Sequence, residues 1–160
     1  MRRPRPRDLL LAAPALLALG GGAWWQWGGG PEPRLPRDHA YPEELDEIPA
    51  AWQGLQGVPA PSPELRASGK ALFDKACSPC HGPEGRGDGK AASNCNPRPA
   101  DFWDGDRLPK HSDPFLYYRI TKGKRGTCMP AFSGSLSRPD RLSLVGYLRM
   151  LEVDARAQGD

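Results

Sequence analysis

A chain of 160 residues accommodates one modest domain with extensions. Gly and Pro, 19 each, approach a quarter of it, so any folded core must be concentrated in part of the sequence. A formal net charge of only +3 argues against a general nucleic-acid binder.

Residues 1–7 carry Arg2, Arg3, Arg5 and Arg7, and no charge follows between Leu9 and Trp27. Nineteen residues of helix span about 28 Å, just enough for a hydrocarbon core. The leading arginines place the N-terminus in the cytoplasm, and Trp24, Trp25 and Trp27 suit the far interface. The expectation is an uncleaved transmembrane anchor over residues 1–27. A cleaved signal peptide is the alternative, since Pro14 and the glycine run weaken a spanning helix and Gly21-Gly22-Ala23 resembles a small-residue cleavage site. Either way, everything downstream is exported.

Residues 28–61 hold seven prolines and the acidic cluster Glu43, Glu44, Asp46 and Glu47, which reads as an extended, semi-rigid spacer. Tyr41, Ile48, Trp52 and Leu55 are the residues that would pack if it lay on the domain or a partner, and His39 has no metal-ligand companion nearby. The domain itself is expected over 62–160. Ser62-Pro63-Glu64 starts a helix with an N-cap serine, proline at the first helical position and an acid in the first turn. Leu65, Leu72, Phe73 and Ala76 recur at helical spacing, with Gly69 on the same side.

That helix runs into Cys77-Ser78-Pro79-Cys80-His81. Two thiols three positions apart with a histidine directly after the second is the spacing for covalent haem attachment, each thiol adding to one vinyl group and the imidazole serving as fifth iron ligand. A Cys-x-x-Cys pair also serves zinc or dithiol chemistry, but the zinc reading lacks a second closely spaced ligand pair, because Cys95 and Cys128 are far apart. A glycine-rich run, Gly82 to Gly89, and the segment Asn96-Pro97-Arg98-Pro99-Ala100-Asp101-Phe102 follow. Pro97 or Pro99 is expected to place a carbonyl against the free imidazole nitrogen of His81, with Phe102 and Trp103 packing on the haem or in the core. Asp113-Pro114 opens a short helix over 115–122 that Gly123 ends, and His111 before it reads as a surface residue. Residues 140–153 form a last helix whose Leu142, Val145, Leu148 and Leu151 make one apolar stripe, with Gly146 allowing close approach to the first helix at Gly69.

Between those helices lies Met129, in Cys128-Met129-Pro130-Ala131-Phe132. A thioether is a soft iron ligand, and a His/Met pair raises the reduction potential relative to His/His. Met150, in the last helix, reads as a core or surface residue.

From the first helix to the last, residues 62 to about 153 resemble a small bacterial class I cytochrome c. The resemblance rests on the helix before Cys77–His81, the Asn96–Phe102 segment, Met129-Pro130-Ala131-Phe132 and the amphipathic last helix. It implies an all-α fold of three to four helices wrapped round one covalent haem c, here with an N-terminal transmembrane helix. Cys77 and Cys80 would hold the haem, His81 and Met129 would be its axial ligands, and Gly69 and Phe73 would cross Gly146 and Tyr147. With both axial positions filled, the iron has no open site, so the implied role is single-electron transfer rather than catalysis. The domain would stand outside the cytoplasmic membrane, exchanging electrons with a membrane-associated donor and acceptor or serving as a subunit of a larger redox complex. A haem sensor or peroxidase-like protein with a displaceable Met129 is the reading from another class.

Cys95 and Cys128 depart from the simplest pattern of that family. In an oxidising compartment they suggest a disulfide, worth about 3–4 kcal/mol on the chain-entropy estimate for a loop of this length; two free thiols are the alternative. Residues 62–160 hold 16 Lys and Arg against 12 Asp and Glu, a surplus of four. Lys122, Lys124 and Arg125 lie near Met129, either as a basic rim that steers an acidic partner or as a solvated loop.

Overall fold

The computed structural model describes residues 48–104 and 107–159, so the anchor over 1–27 and most of the spacer lie outside the described residues. Five helices and one 3-10 turn, with no strand among the described residues, build the domain: α1 (Ala50–Gln53), α2 (Pro63–Ala76), α3 (Ser78–His81), the turn Ala92–Asn94, α4 (Asp113–Lys122) and α5 (Arg138–Gly159).

Local chemistry sets each boundary. The Ser62 hydroxyl accepts from the Leu65 amide at 3.1 Å and Pro63 occupies the first turn, so α2 starts where its cap lies. Ser112, rather than Asp113, caps α4 by accepting from the Phe115 amide at 3.3 Å, and the helix therefore begins two residues before the expected Phe115. Gly123, at φ 71°, turns the chain out of α4. Ser137 and Asp140 form a reciprocal cap for α5, each side chain accepting from the other's amide, at 3.3 and 3.1 Å. That helix extends to Gly159, beyond its expected end at 153, and there Arg156 pairs with Glu152 one turn back.

The core lies where α2 crosses α5 and α4 packs beside them. A β-carbon on Gly69 would stand 2.6 Å from the Tyr147 β-carbon, and one on Gly146 would meet Leu65 at 2.9 Å. The expected crossing at the two glycines is therefore present. Gly69→Val should overpack it and cost about 1–3 kcal/mol, read as a lower urea midpoint. Gly134→Ala, where a β-carbon meets nothing within 4 Å, should leave the midpoint nearly unchanged.

The last part of the sequence read as spacer belongs to this core instead. Trp52 is 3% exposed, edge-on to Tyr118 at 5.2 Å, and Ile48, Leu55 and Val58 pack on the same cluster. The described residues 48–61 are thus laid on the helices and not held off as a tether. Lys122 turns the same way, its ammonium 5.3 Å from the Trp52 ring centroid, which removes it from the expected basic rim.

Arg149 fixes the remaining segment. It donates from Nε to Asp113 at 2.7 Å, and from its two Nη atoms to the carbonyls of Leu108 and His111, with Glu152 at 2.8 Å. A half-buried guanidinium making these four hydrogen bonds pins residues 108–113 to α5.

Candidate functional site

The motif Cys77–His81 takes its shape from the end of α2. Cys77 closes that helix by donating to the Phe73 carbonyl, then caps α3, whose single turn is held by Cys80 and His81 amides donating to Cys77 at 3.1 and 2.8 Å. The glycine run folds back over this turn: Gly87 donates to the His81 carbonyl at 2.8 Å and Gly89 to that of Cys80 at 3.1 Å. Gly87 has φ 73°, and a β-carbon there would stand 2.6 Å from the Pro99 carbonyl, so the proline segment can lie against it only because that atom is missing.

This close approach delivers a main-chain acceptor to His81. Its Nδ1 lies 3.0 Å from the carbonyl of Ala100, not that of Pro97 or Pro99, so the prolines shape the path and the residue after them makes the contact. A carbonyl can only accept, so Nδ1 carries the proton and Nε2 keeps its lone pair. Burial holds the imidazole below its ordinary pKa and so favours the neutral ring, against the smaller, opposing effect of that hydrogen bond. Phe102 stacks on the imidazole, centroids 4.6 Å apart and planes 16° from parallel. Trp103 instead faces outward, its indole donating to the Glu84 carbonyl at 2.6 Å beneath Arg86.

Cys77, Cys80, His81 and Met129 line one cavity of about 500 Å³. Burial, and next the neighbouring Cys80, push the Cys77 thiol up to about 12, so it is uncharged. Met129 sits in a small loop in which Lys124 donates to its carbonyl at 3.0 Å and its own amide donates to the Thr127 hydroxyl at 3.2 Å. Met150, for which core and surface were both open, is buried. Cys95 and Cys128 are joined in a disulfide, Cα atoms 5.5 Å apart, on the wall of the cavity.

Several lining residues escaped the sequence reading. His111 is no free surface residue: its ring stacks on Phe115 at 4.1 Å and lines the cavity. Arg98, Arg107, Arg119 and Lys124 also line it, with no aspartate or glutamate among the described lining residues. Only Lys124 of these had been singled out. Arg98 and Arg107 lie in segments with no hydrophobic period to orient them, and Arg119 is a lone cation on α4, which carries no signal of the cavity it faces.

A family model described as cytochrome c oxidase, cbb3-type, subunit III, matches residues 64–148, more than half the chain. The protein belongs to this family of c-type cytochromes. Among solved structures, a chain of the reducing HAO-like protein complex of Kuenenia stuttgartiensis is 34% identical, with a TM-score of 0.51 over 61% of this cytochrome. The match takes in 47% of that chain, so the cytochrome spans about half the length of its structural relative. No curated protein matches it. Membership makes the cofactor a covalently bound haem c and the domain's chemistry haem-based electron transfer.

The cavity fits that group on its own evidence. Two thiols and an imidazole with a free Nε2 share one wall, a thioether lies in the same enclosure, and the volume is within the roughly 300–1,000 Å³ of small-molecule sites. Four cationic side chains, with no acid among the described lining residues, suit a ligand that carries carboxylates.

Proposed function

We propose that this cytochrome is a single-haem, membrane-tethered electron carrier, in which Cys77 and Cys80 hold the haem, His81 is the proximal ligand and Met129 the distal one. The observation that carries the reading is the convergence of all four side chains on one cavity from segments up to 52 positions apart in sequence. When bound, the haem supplies an iron that gains or loses one electron. The chain does the rest. Ala100 fixes the proton on His81 Nδ1, Phe102 fixes the plane of the ring, and apolar residues such as Phe73, Leu116 and Leu144 keep water from the enclosure. With His81 and Met129 both committed to the iron, no position is left for substrate, so the domain carries electrons and makes no bonds.

Residues 1–27 supply the anchor in this reading, with the domain on the outer face of the cytoplasmic membrane, where haem attachment and the disulfide both belong. A donor and an acceptor in or on the membrane are its partners. The reading as a fixed subunit of a larger redox complex is favoured by the solved relative, which is itself part of a complex. Gel filtration from mild detergent separates the two.

The first test is an absorption spectrum of the exported protein with an alkaline pyridine assay. A c-type haem with the long-wavelength thioether–iron band supports the carrier. A c-type haem without that band, binding carbon monoxide readily, overturns it in favour of a sensor or peroxidase-like protein. Electrostatics at the cavity give a second prediction. Lys124→Glu should slow oxidation of the ferrous protein by ferricyanide, an anionic probe, several-fold at low salt and flatten the dependence on ionic strength. Stopped-flow rates across a salt series measure both effects.

A further inference from the structure

We propose that the Cys95–Cys128 disulfide is a releasable strap on Met129: reduced by a dithiol, it lets the Met129 loop leave the cavity and opens the iron position that Met129 fills. The proposal rests on Met129 being the distal ligand.

The strap's two ends fall at informative places. Cys128 directly precedes Met129. Cys95 directly precedes the Asn96–Ala100 segment, whose last carbonyl holds His81. One covalent bond therefore ties the chain beside the distal ligand to the chain that orients the proximal one. The hydrogen bonds around Met129 do a different job. Lys124 to the Met129 carbonyl, Thr127 to the Lys124 carbonyl by both amide and hydroxyl, and Met129 to the Thr127 hydroxyl all close within residues 124–129. They shape the loop without fastening it to the 95–100 segment. The disulfide does fasten it, across 33 positions of sequence.

Of the two sulfurs, both on the cavity wall, Cys128 is the less buried and Cys95 is 7% exposed, so an incoming thiolate takes the Cys128 sulfur and Cys95 is the leaving thiol. The second thiol of the donor then displaces Cys128 from the mixed disulfide. In balance, the protein's S–S bond breaks and takes up two electrons and two protons as the Cys95 and Cys128 thiols. The donor's two S–H groups become one S–S bond, and the iron keeps its oxidation state.

The test uses the full holoprotein, with carbon monoxide as probe of the open position. Iron reduced by ascorbate, which leaves the disulfide intact, is compared with iron and disulfide both reduced by dithiothreitol, thiols then trapped with iodoacetamide and counted by mass. Strap release should raise carbon monoxide affinity about tenfold or more, because apparent affinity scales with the fraction of open molecules. The Cys95→Ser/Cys128→Ser double variant should bind equally well and lose the ferric thioether–iron band. If that variant fails to take up haem, the chemically reduced wild-type protein decides. Unchanged affinity with both cysteines alkylated overturns the strap. Met129→Ala separates this failure from failure of the ligand reading: if its band and affinity match the wild type, Met129 is no ligand and both proposals fall.

Discussion

Met129→Ala is expected to abolish the long-wavelength thioether–iron band, to lower the reduction potential and to let the ferrous protein bind carbon monoxide. A thioether stabilises ferrous relative to ferric iron, so its loss should move the potential down by a substantial part of the roughly 0.8 V range that axial ligands set. The helices should be indifferent to the change, because Met129 lies in a loop between α4 and α5 and is not among the buried core residues. Potentiometry and a carbon monoxide titration of the same sample measure both consequences. A low-spin protein that refuses carbon monoxide would mean that a nitrogen has taken the sulfur's place, and His111 lines the same cavity. A variant indistinguishable from wild type would refute the assignment of Met129.

Phe73→Ala carries the largest expected cost in stability. Phe73 is 1% exposed at the helix crossing, tilted against Tyr147 at 5.6 Å and edge-on to Phe102 at 6.2 Å, and it also lines the cavity. Removing a buried phenyl ring typically costs about 3–5 kcal/mol, since the transfer free energy is lost and the void relaxes only in part. Here the void would open beside the haem site and remove the ring that backs Phe102, which in turn stacks on His81. Urea unfolding followed by helical circular dichroism should show the lower midpoint, and Phe73→Leu should recover most of the loss. A change below about 1 kcal/mol, the level of an ordinary exposed substitution, would contradict the packing role.

Much of this was legible because short-range chemistry wrote it into the sequence. The Ser62 cap, the pentapeptide at 77–81, the paired glycines at 69 and 146 and the leftover cysteine pair each state a local requirement that needs no knowledge of the rest of the fold. The four side chains proposed as ligands, Cys77, Cys80, His81 and Met129, could be named before any geometry, with the family resemblance completing the set. What stayed hidden depends on which long-range surfaces meet. Trp52 is one aromatic in a proline-rich stretch, so no period announces that its ring will be buried between Tyr117 and Tyr118. His111 and Arg107 lie in an irregular segment whose position is dictated by Arg149, some 38 to 42 residues later in the sequence. The acceptor for His81 fell at Ala100 because the chain's path is decided by where Gly87 lets it approach.

That acceptor has an evolutionary side. Orientation of an iron-binding imidazole by a carboxylate can be lost in one codon change, but a peptide oxygen has no side chain to mutate. The tautomer of His81 is therefore inherited with the chain's route, and drift at position 100 itself should be tolerated so long as the new residue keeps that route. The vulnerability is displaced to a residue that never touches the ring: any β-carbon at Gly87 would press on the Pro99 carbonyl and push the oxygen of Ala100 off its target.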